Sequence, residues 1–322
     1  MLDRARNTKT FAPINTAFNR TFRPDRLSLG LVLPLETYAI GSAPSMEGHI
    51  RAAQMADALG FAALWLRDVP FDVPSFGDVG QVYDPFVYLG ALASVTQKIA
   101  LGTASIILPL RHPAHVAKAA ASADVMSGKR LLLGVASGDR PEEYPAMAQS
   151  YSDRGARFRD SVSYIRHMSS PYPHHTNSFG TLGGGVDLLP KPTGPRLPLL
   201  ITGGSQQTPE WVAQNGDGWM TYPRDAASQR RVIDAYRTRI KSAGLPDKPV
   251  MQSLYIDLLD DPEAPPRPLH LGFQSGTTFL RNYLREIESL GVNHVALNLR
   301  FNSKPIDQTL ERLASQLLCD FA

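Results

Sequence analysis

Residues 98–138 read KIALGTASIILPLRHPAHVAKAAASADVMSGKRLLLGVASG, and this stretch decides the fold. Ile99-Ala-Leu-Gly-Thr-Ala104 is a short apolar run of strand type. Pro113 then opens a helical pattern that continues to Met126. A proline suits that first position because the helix leaves its N–H unpaired in any case. Arg130-Leu-Leu-Leu-Gly-Val135 is a second strand. A strand, a helix and a strand with little between them form one βαβ unit, and two strands so joined lie parallel.

The same unit recurs outward in both directions. Leu27–Leu33 is a first strand, with a helix from about Ser45 to Leu59 closed by Gly60. Phe61–Leu66 is a second strand, followed by a helix from about Asp84 to Gln97. After the central pair come a helix over Asp153–Met168 and four further strands: Leu199–Thr202, Gly218–Thr221, Val250–Asp257 and Val292–Leu297. Before the last of these, Phe279, Leu280, Tyr283, Leu284, Ile287 and Leu290 fall on one helical face. Eight strands that read as near-continuous apolar runs imply a parallel sheet covered by helices. The expectation is an α/β fold, a (β/α)8 TIM barrel with insertions after helix four and strand seven. A doubly wound open sheet is the competitor, but no G-x-G-x-x-G follows the first strand. We read one barrel domain over 27–322 and an N-terminal extension over 1–26. The insertions are Ser169–Leu197, rich in Pro, Gly and His, and Leu258–Ser275, with four prolines. The second follows a strand and so can reach the active-site face. The first follows a helix, which places much of it at the opposite end.

Composition narrows the class. The 322 residues are 43% hydrophobic and 20% charged, a globular balance that excludes a disordered or collagen-like chain. No apolar run approaches the roughly 20 residues that span a bilayer. Cys319 is the single cysteine, which excludes an internal disulfide framework and suits a cytoplasmic protein. The 33 basic and 30 acidic residues nearly balance, with a local surplus before Leu27 from Arg4, Arg6, Lys9, Arg20, Arg23 and Arg26. That segment lacks the apolar core of a secretory signal and is read as an extension lying over the barrel or loosely ordered. We see neither a nucleic-acid footprint nor a membrane element. The histidines (His112 with His115, His174 with His175) come without a carboxylate set, so no metal site is expected.

In a barrel the chemistry sits just after the strands. Three small, polar segments lie there: Thr103-Ala104-Ser105, Ala136-Ser137-Gly138-Asp139-Arg140 and Thr202-Gly203-Gly204-Ser205-Gln206-Gln207-Thr208. The last leads into a helix at Pro209. Its glycines let backbone approach a ligand, and its amides and hydroxyls suit a phosphate. A plain turn capped by Thr208 explains the same residues.

Several of these segments also resemble the bacterial-luciferase-like flavin monooxygenases, a superfamily of TIM-barrel enzymes. The matching text is Tyr83-Asp-Pro-Phe-Val87, Lys98–Pro113, Asp124–Gly138, Gly203–Trp211 and Gly216-Asp-Gly-Trp219, in order and at the family's spacing, from about Leu27 to Arg224. The resemblance implies a monooxygenase that uses reduced FMN, supplied by a separate flavin reductase, and dioxygen on a small organic substrate. It places the isoalloxazine against the end of strand three, with a non-proline cis peptide at Ala104–Ser105, and sets Ser137 and Gly138 beside it. Ser205 and Thr208, with the amides of Gly204 and Gln206, would hold the FMN phosphate, and Arg140 and Arg157 would add positive charge. For Arg157 an exposed pairing with Asp153 or Asp160 is the alternative. Homodimers packed through helices two and three are implied, and Ala117, Ala119, Ala120, Ala121 and Ala123 permit close packing.

The departures are as informative. Where luciferase carries a histidine pair after strand two, this chain has Arg67-Asp68-Val-Pro-Phe71. Arg67 and Asp68 are the catalytic candidates there. Asp68 is read either as a general base or as paired with Arg67, and the pair is preferred. Ala136 stands where some members carry a reactive cysteine. Two rival functions share the fold: hydride transfer with the deazaflavin F420, and flavin binding without turnover. F420 has a long acidic tail, and no basic stripe is evident for it.

Overall fold

The computed structural model describes residues 10–38 and 43–321. Arg4, Arg6 and Lys9 of the basic extension lie outside them. The chain begins with α1 (Thr16–Thr21), β1 (Ser28–Val32), α2 (His49–Leu59), β2 (Ala63–Leu66), α3 (Pro85–Val95), β3 (Ala100–Thr103), β4 (Ile106–Ile107) and α4 (Pro113–Met126). It continues through β5 (Leu131–Ala136), α5 (Glu143–Ala146), α6 (Arg154–His167), the hairpin β6 (His174–Asn177) and β7 (Gly180–Gly183), then β8 (Leu199–Thr202) and α7 (Pro209–Asn215). Last come β9 (Gly218–Thr221), α8 (Ala226–Ser242), β10 (Val250–Leu258), β11 (Arg267–Leu269), β12 (Gly272–Ser275), α9 (Thr277–Ser289), β13 (His294–Asn298) and α10 (Ile306–Leu317).

Strands β1, β2, β3, β5, β8, β9, β10 and β13 pair in that order, every pair parallel, and β13 returns to β1. The ring is a closed (β/α)8 TIM barrel. Alternation along each strand splits its residues between two cores. Ala63, Trp65, Ala100, Leu132, Leu200, Met220, Met251 and Ala296 share one cluster inside the barrel. Leu29, Leu31, Leu64, Leu66, Leu101, Leu131 and Leu133 join the helices in the other. Both faces are buried, which is why the strands read as unbroken apolar runs.

Residues of the N-terminal segment complete the inner cluster. Phe11, Ile14, Ala17, Phe18 and Phe22 pack into it from the amino ends of the strands. Asn15 caps α1 by accepting from Phe18 N, and its amide donates to Asp124 and to Leu131 O at 2.9 and 2.8 Å. Above them runs a buried relay. Trp65 Nε1 donates to His294 Nε2 at 2.8 Å, His294 Nδ1 bonds Ser28 Oγ at 2.7 Å, and Ser28 donates to Thr21 O. A single imidazole proton, on Nδ1, satisfies that chain, and burial pushes the His294 pKa down to about 3. Gly30 and Gly102 make the space: a Cβ would stand 2.6 Å from His294 and 2.4 Å from Trp65.

The second helix starts four residues later than expected. Met46 and Gly48 take left-handed backbone (φ 59° and 64°), and Glu36 accepts from the amides of Ser45 and Met46. The first insertion runs down the outside of α6. Its tip, Phe179, meets His112 and Arg157, while its far end reaches the barrel floor, where Thr193 donates to Asp124. The second insertion returns as β12 alongside β10, pairing Tyr255–Leu258 with Gly272–Ser275.

Candidate active site

Carried past the apolar interior, the inward face turns polar. Two residues beyond Trp65 comes Arg67, two beyond Met220 comes Tyr222, and four beyond Met251 and Ala296 come Tyr255 and Arg300. Asp78, from the loop after β2, stands at the centre. Arg67 Nη1 reaches its Oδ2 at 2.6 Å and Arg300 Nη1 its Oδ1 at 2.9 Å. Tyr38 Oη and Gly80 N also donate to Oδ1. The backbone carbonyl of Asp78 accepts from Arg140 Nη2 at 2.8 Å, and that of Gly77 accepts from Arg300. Burial, with Arg67 close by, lowers the Arg140 pKa.

The expected Arg67–Asp68 pair does not form, and the strand explains why. Consecutive residues of an extended chain point to opposite faces. Arg67 faces the mouth, while Asp68 turns outward and accepts both Nε and Nη2 of Arg111 at 3.0 and 2.8 Å, along with the amide of Ile107. Arg111 also holds Asp84. Asp68 therefore ties the loops after β2 and β3 together. Asp78 and Arg300 are the mouth residues that reading the sequence missed. Counting by twos from Ala296 reaches Arg300; nothing local marks Asp78.

The Ala104–Ser105 peptide is cis. Ser105 Oγ shares a hydrogen with Thr202 Oγ1 and lies 3.6 Å from Met220 Sδ, so the ends of β3, β8 and β9 meet there. Gly138 has φ 77°, and the Ser137 carbonyl accepts from Tyr144 Oη. Tyr144 packs on Tyr151, whose ring carries the Arg154 guanidinium at 3.6 Å. Next to Arg154, the backbone of Gly155 touches the turn after β8: Gln207 donates to Gly155 O, and a Cβ on Gly155 would stand 3.0 Å from Gln206. The segments around Ser137 and Ser205 are thus joined through the first turn of α6.

Within the turn, Gly203, Ser205 and Gln206 have φ of 54°, 45° and 60°. Ser205 Oγ donates to Thr202 O, and Thr208 caps α7 by accepting from Trp211 N. Arg140 and Arg157, the arginines expected to add positive charge, make their contacts elsewhere than in this turn. Arg140 is held across the mouth by Asp78, and Arg157 donates to Pro109 O and lies over Phe179, pairing with neither Asp153 nor Asp160. Arg154, one residue before Gly155, lies over Tyr151 and donates from Nη1 to its carbonyl at 2.7 Å, and its buried Nε has no hydrogen-bond partner.

The sequence profile of the luciferase-like monooxygenases matches residues 28–296. The chain belongs to that family. An uncharacterized protein of Mycobacterium tuberculosis is 29% identical over 194 residues, covering 54% of this chain and 67% of that one. The oxygenase component of the flavin-dependent trigonelline monooxygenase of Acinetobacter baylyi is 26% identical over 172 residues, 52% of this chain and 46% of the relative. Among solved structures, monooxygenase RslO1 from Streptomyces bottropensis superposes with a TM-score of 0.77 at 20% identity, covering 92% and 100% of the two chains. An F420-dependent secondary alcohol dehydrogenase gives 0.74 at 17%, covering 91% and 98%.

As a luciferase-like protein the chain is a flavin-dependent oxidoreductase, and the residues present suit a flavin. The turn after β8 leaves the amides of Gly204, Ser205 and Gln206 without hydrogen bonds among the described residues, and Arg154, next in sequence to the Gly155 that touches the turn, keeps one unmatched donor. Tyr222 stands against Gly203, between that turn and the mouth. Among the described residues no three His, Cys, Asp or Glu are grouped to hold a metal, and no helix is long and apolar enough to cross a membrane.

Proposed function

We propose that the protein is the oxygenase of a two-component system, taking reduced FMN from a separate reductase and oxygenating a small organic substrate with dioxygen. The turn Gly203–Thr208 carries this reading. Left-handed backbone at closely spaced residues curls amides toward a common point, as in anion-binding nests. Gly204, Ser205 and Gln206 supply those amides, Thr208 a hydroxyl oxygen and Arg154 the charge for a terminal phosphate.

Ala104, Ser105, Ser137 and Gly138 would hold the ring system. Bound reduced FMN supplies the electrons and the site of oxygen activation. The chain orients it and excludes water. Phe71 and Phe76, on the same loop as Asp78, and Tyr222 provide apolar cover at the rim. FMN is favoured over F420 because the position just past the turn is acidic: Glu210 pairs with Arg239 at 2.7 Å. A long anionic tail meets no run of cations there. Val87 on α3 and Met126 on α4, respectively 74% and 67% exposed, support a homodimer through those helices.

Anaerobic titration of the apoprotein with reduced FMN and with reduced F420 tests the cofactor. Preferential FMN binding, followed by oxygen-dependent product formation in a substrate screen, is the expected result. Preference for F420 with oxygen-independent turnover moves the protein to hydride transfer. Flavin binding without any turnover makes it a carrier.

A further inference from the structure

The barrel mouth gathers three guanidinium groups from distant parts of the chain, and one of them is incompletely matched. Arg67, Arg140 and Arg300 meet around Asp78, which gives its two carboxylate oxygens to Arg67 and Arg300 and only its backbone carbonyl to Arg140. Removing a charged group from water costs several kcal/mol unless it is paired. Asp78 pairs directly with two of the guanidiniums, and Arg140 is left with only the longer contact to Glu143 and the exposed Asp139 beside it in the chain. Arg140 shows the consequence most plainly. Its side chain is 4% exposed, Nη1 has no hydrogen-bond partner, and the nearest second carboxylate, Glu143, stands 3.9 Å away. Asp68, the other buried carboxylate after β2, is committed to Arg111 on the outer face.

The geometry points to a substrate that carries an oxyanion, a carboxylate, sulfonate or phosphonate, bound at the mouth by Arg67 and Arg140 beside Asp78. This assignment rests on the oxygenase reading above and names the substrate class for that site. Arginine suits the task because its planar donors match the oxygens of such groups and it stays charged. Arg67 is the most exposed of the three at 18% of its side chain, and so is the group an incoming anion meets first. Flat surfaces flank the charges: Arg140 lies over Phe76 at 4.1 Å, and Tyr255 stands 5.3 Å from Phe301. A compact anion with a planar, apolar body fits charge and walls together.

The test uses benzoate, benzenesulfonate and phenylphosphonate, with benzamide as the neutral match. Each is titrated calorimetrically at constant ionic strength, into apoprotein and into protein loaded anaerobically with reduced FMN. At least one anion is expected to bind about tenfold or more tightly than benzamide, the size of a charge-assisted bidentate contact. Arg67→Gln should remove that preference, Arg67→Lys should restore part of it, and both should keep FMN affinity within about threefold. Three results overturn the proposal: no anion outbinds benzamide; Arg67→Gln lowers the melting temperature but leaves anion affinity unchanged, so the cluster only clamps the loop; or Arg67→Gln weakens FMN and anion alike, so the charge serves the flavin. Anion binding to a protein that takes no FMN leaves the substrate site standing and removes the oxygenase reading. FMN binding without anion preference does the reverse.

Discussion

The two ends of one barrel solve opposite problems, and β2 contains the contrast within three residues. Trp65, wholly buried, gives its N–H to His294, and the relay onward through Ser28 to Thr21 leaves none of its members wanting. Two residues later Arg67 enters a mouth where Arg140 Nη1 has no hydrogen-bond partner, and Arg154 Nε, at the start of α6, has none either. A buried donor without a partner costs about 1–3 kcal/mol, and at the mouth a bound molecule can offset that cost. The floor is built for stability and the mouth for occupancy, the division expected of barrel enzymes.

The largest effect should come from the floor. Phe18 is 2% exposed in the inner cluster, its ring tilted against that of Phe22 at 5.2 Å. Phe18→Ala should cost about 3–5 kcal/mol in denaturant unfolding. FMN affinity of the folded protein should stay within about twofold, because the cavity opens at the far end of the barrel. A variant that loses affinity as steeply as stability would show that the two ends are not separate.

Titration divides the ends next. His294 is neutral in the fold, whereas the unfolded chain protonates it near pH 6.5, the ordinary histidine value. Its contribution is complete above that pH and is lost as pH falls toward about 3, by at most ~1.4 kcal/mol per pH unit. Glu143, behind Arg140, runs the other way. Burial pushes its carboxyl up to about 7, so the fold keeps a proton that the unfolded chain releases near pH 4.5. That stabilisation is present below 4.5 and lost as pH rises through 7. Denaturant midpoints from pH 4 to 8 check both signs: His294→Gln should flatten the acid limb and Glu143→Gln the neutral one. Parallel profiles in both variants would break the assignment.

Most of the barrel was legible because strands buried on both faces announce themselves as apolar runs, and Pro113 and Pro209 mark helix starts that are found in place. The period of two was legible as well. It places Arg67 inward and Asp68 outward, and the expected pair failed only because two neighbours in sequence were treated as neighbours in space. Asp78 was not readable: it sits in a loop, and its importance comes from Arg67, Arg140 and Arg300, which arrive from three distant parts of the chain. The contacts of the candidate arginines were hidden for a related reason. Arg154 and Arg157 lie three apart on α6, and only tertiary contacts show Arg157 held by Pro109 O and Phe179 while Arg154 keeps a donor unused.

That last distinction gives the smallest and sharpest test of the mouth. If the phosphate of a flavin rests in the turn after β8, Arg154→Gln removes a charge-assisted contact and should weaken reduced FMN about 10–100-fold. Ser205→Ala should cost less, up to about tenfold, because a neutral hydroxyl hydrogen bond contributes about 1 kcal/mol. Its proton already goes to Thr202 O, so Ser205 must turn to serve a ligand. Arg157→Gln should leave affinity within about twofold, since its Nε is committed to Pro109 O and its plane to Phe179. Flavin fluorescence titrations rank the three. An Arg157 effect above that of Arg154 would move the phosphate away from the first turn of α6, and with it the donor that most clearly separates this end of the barrel from the other.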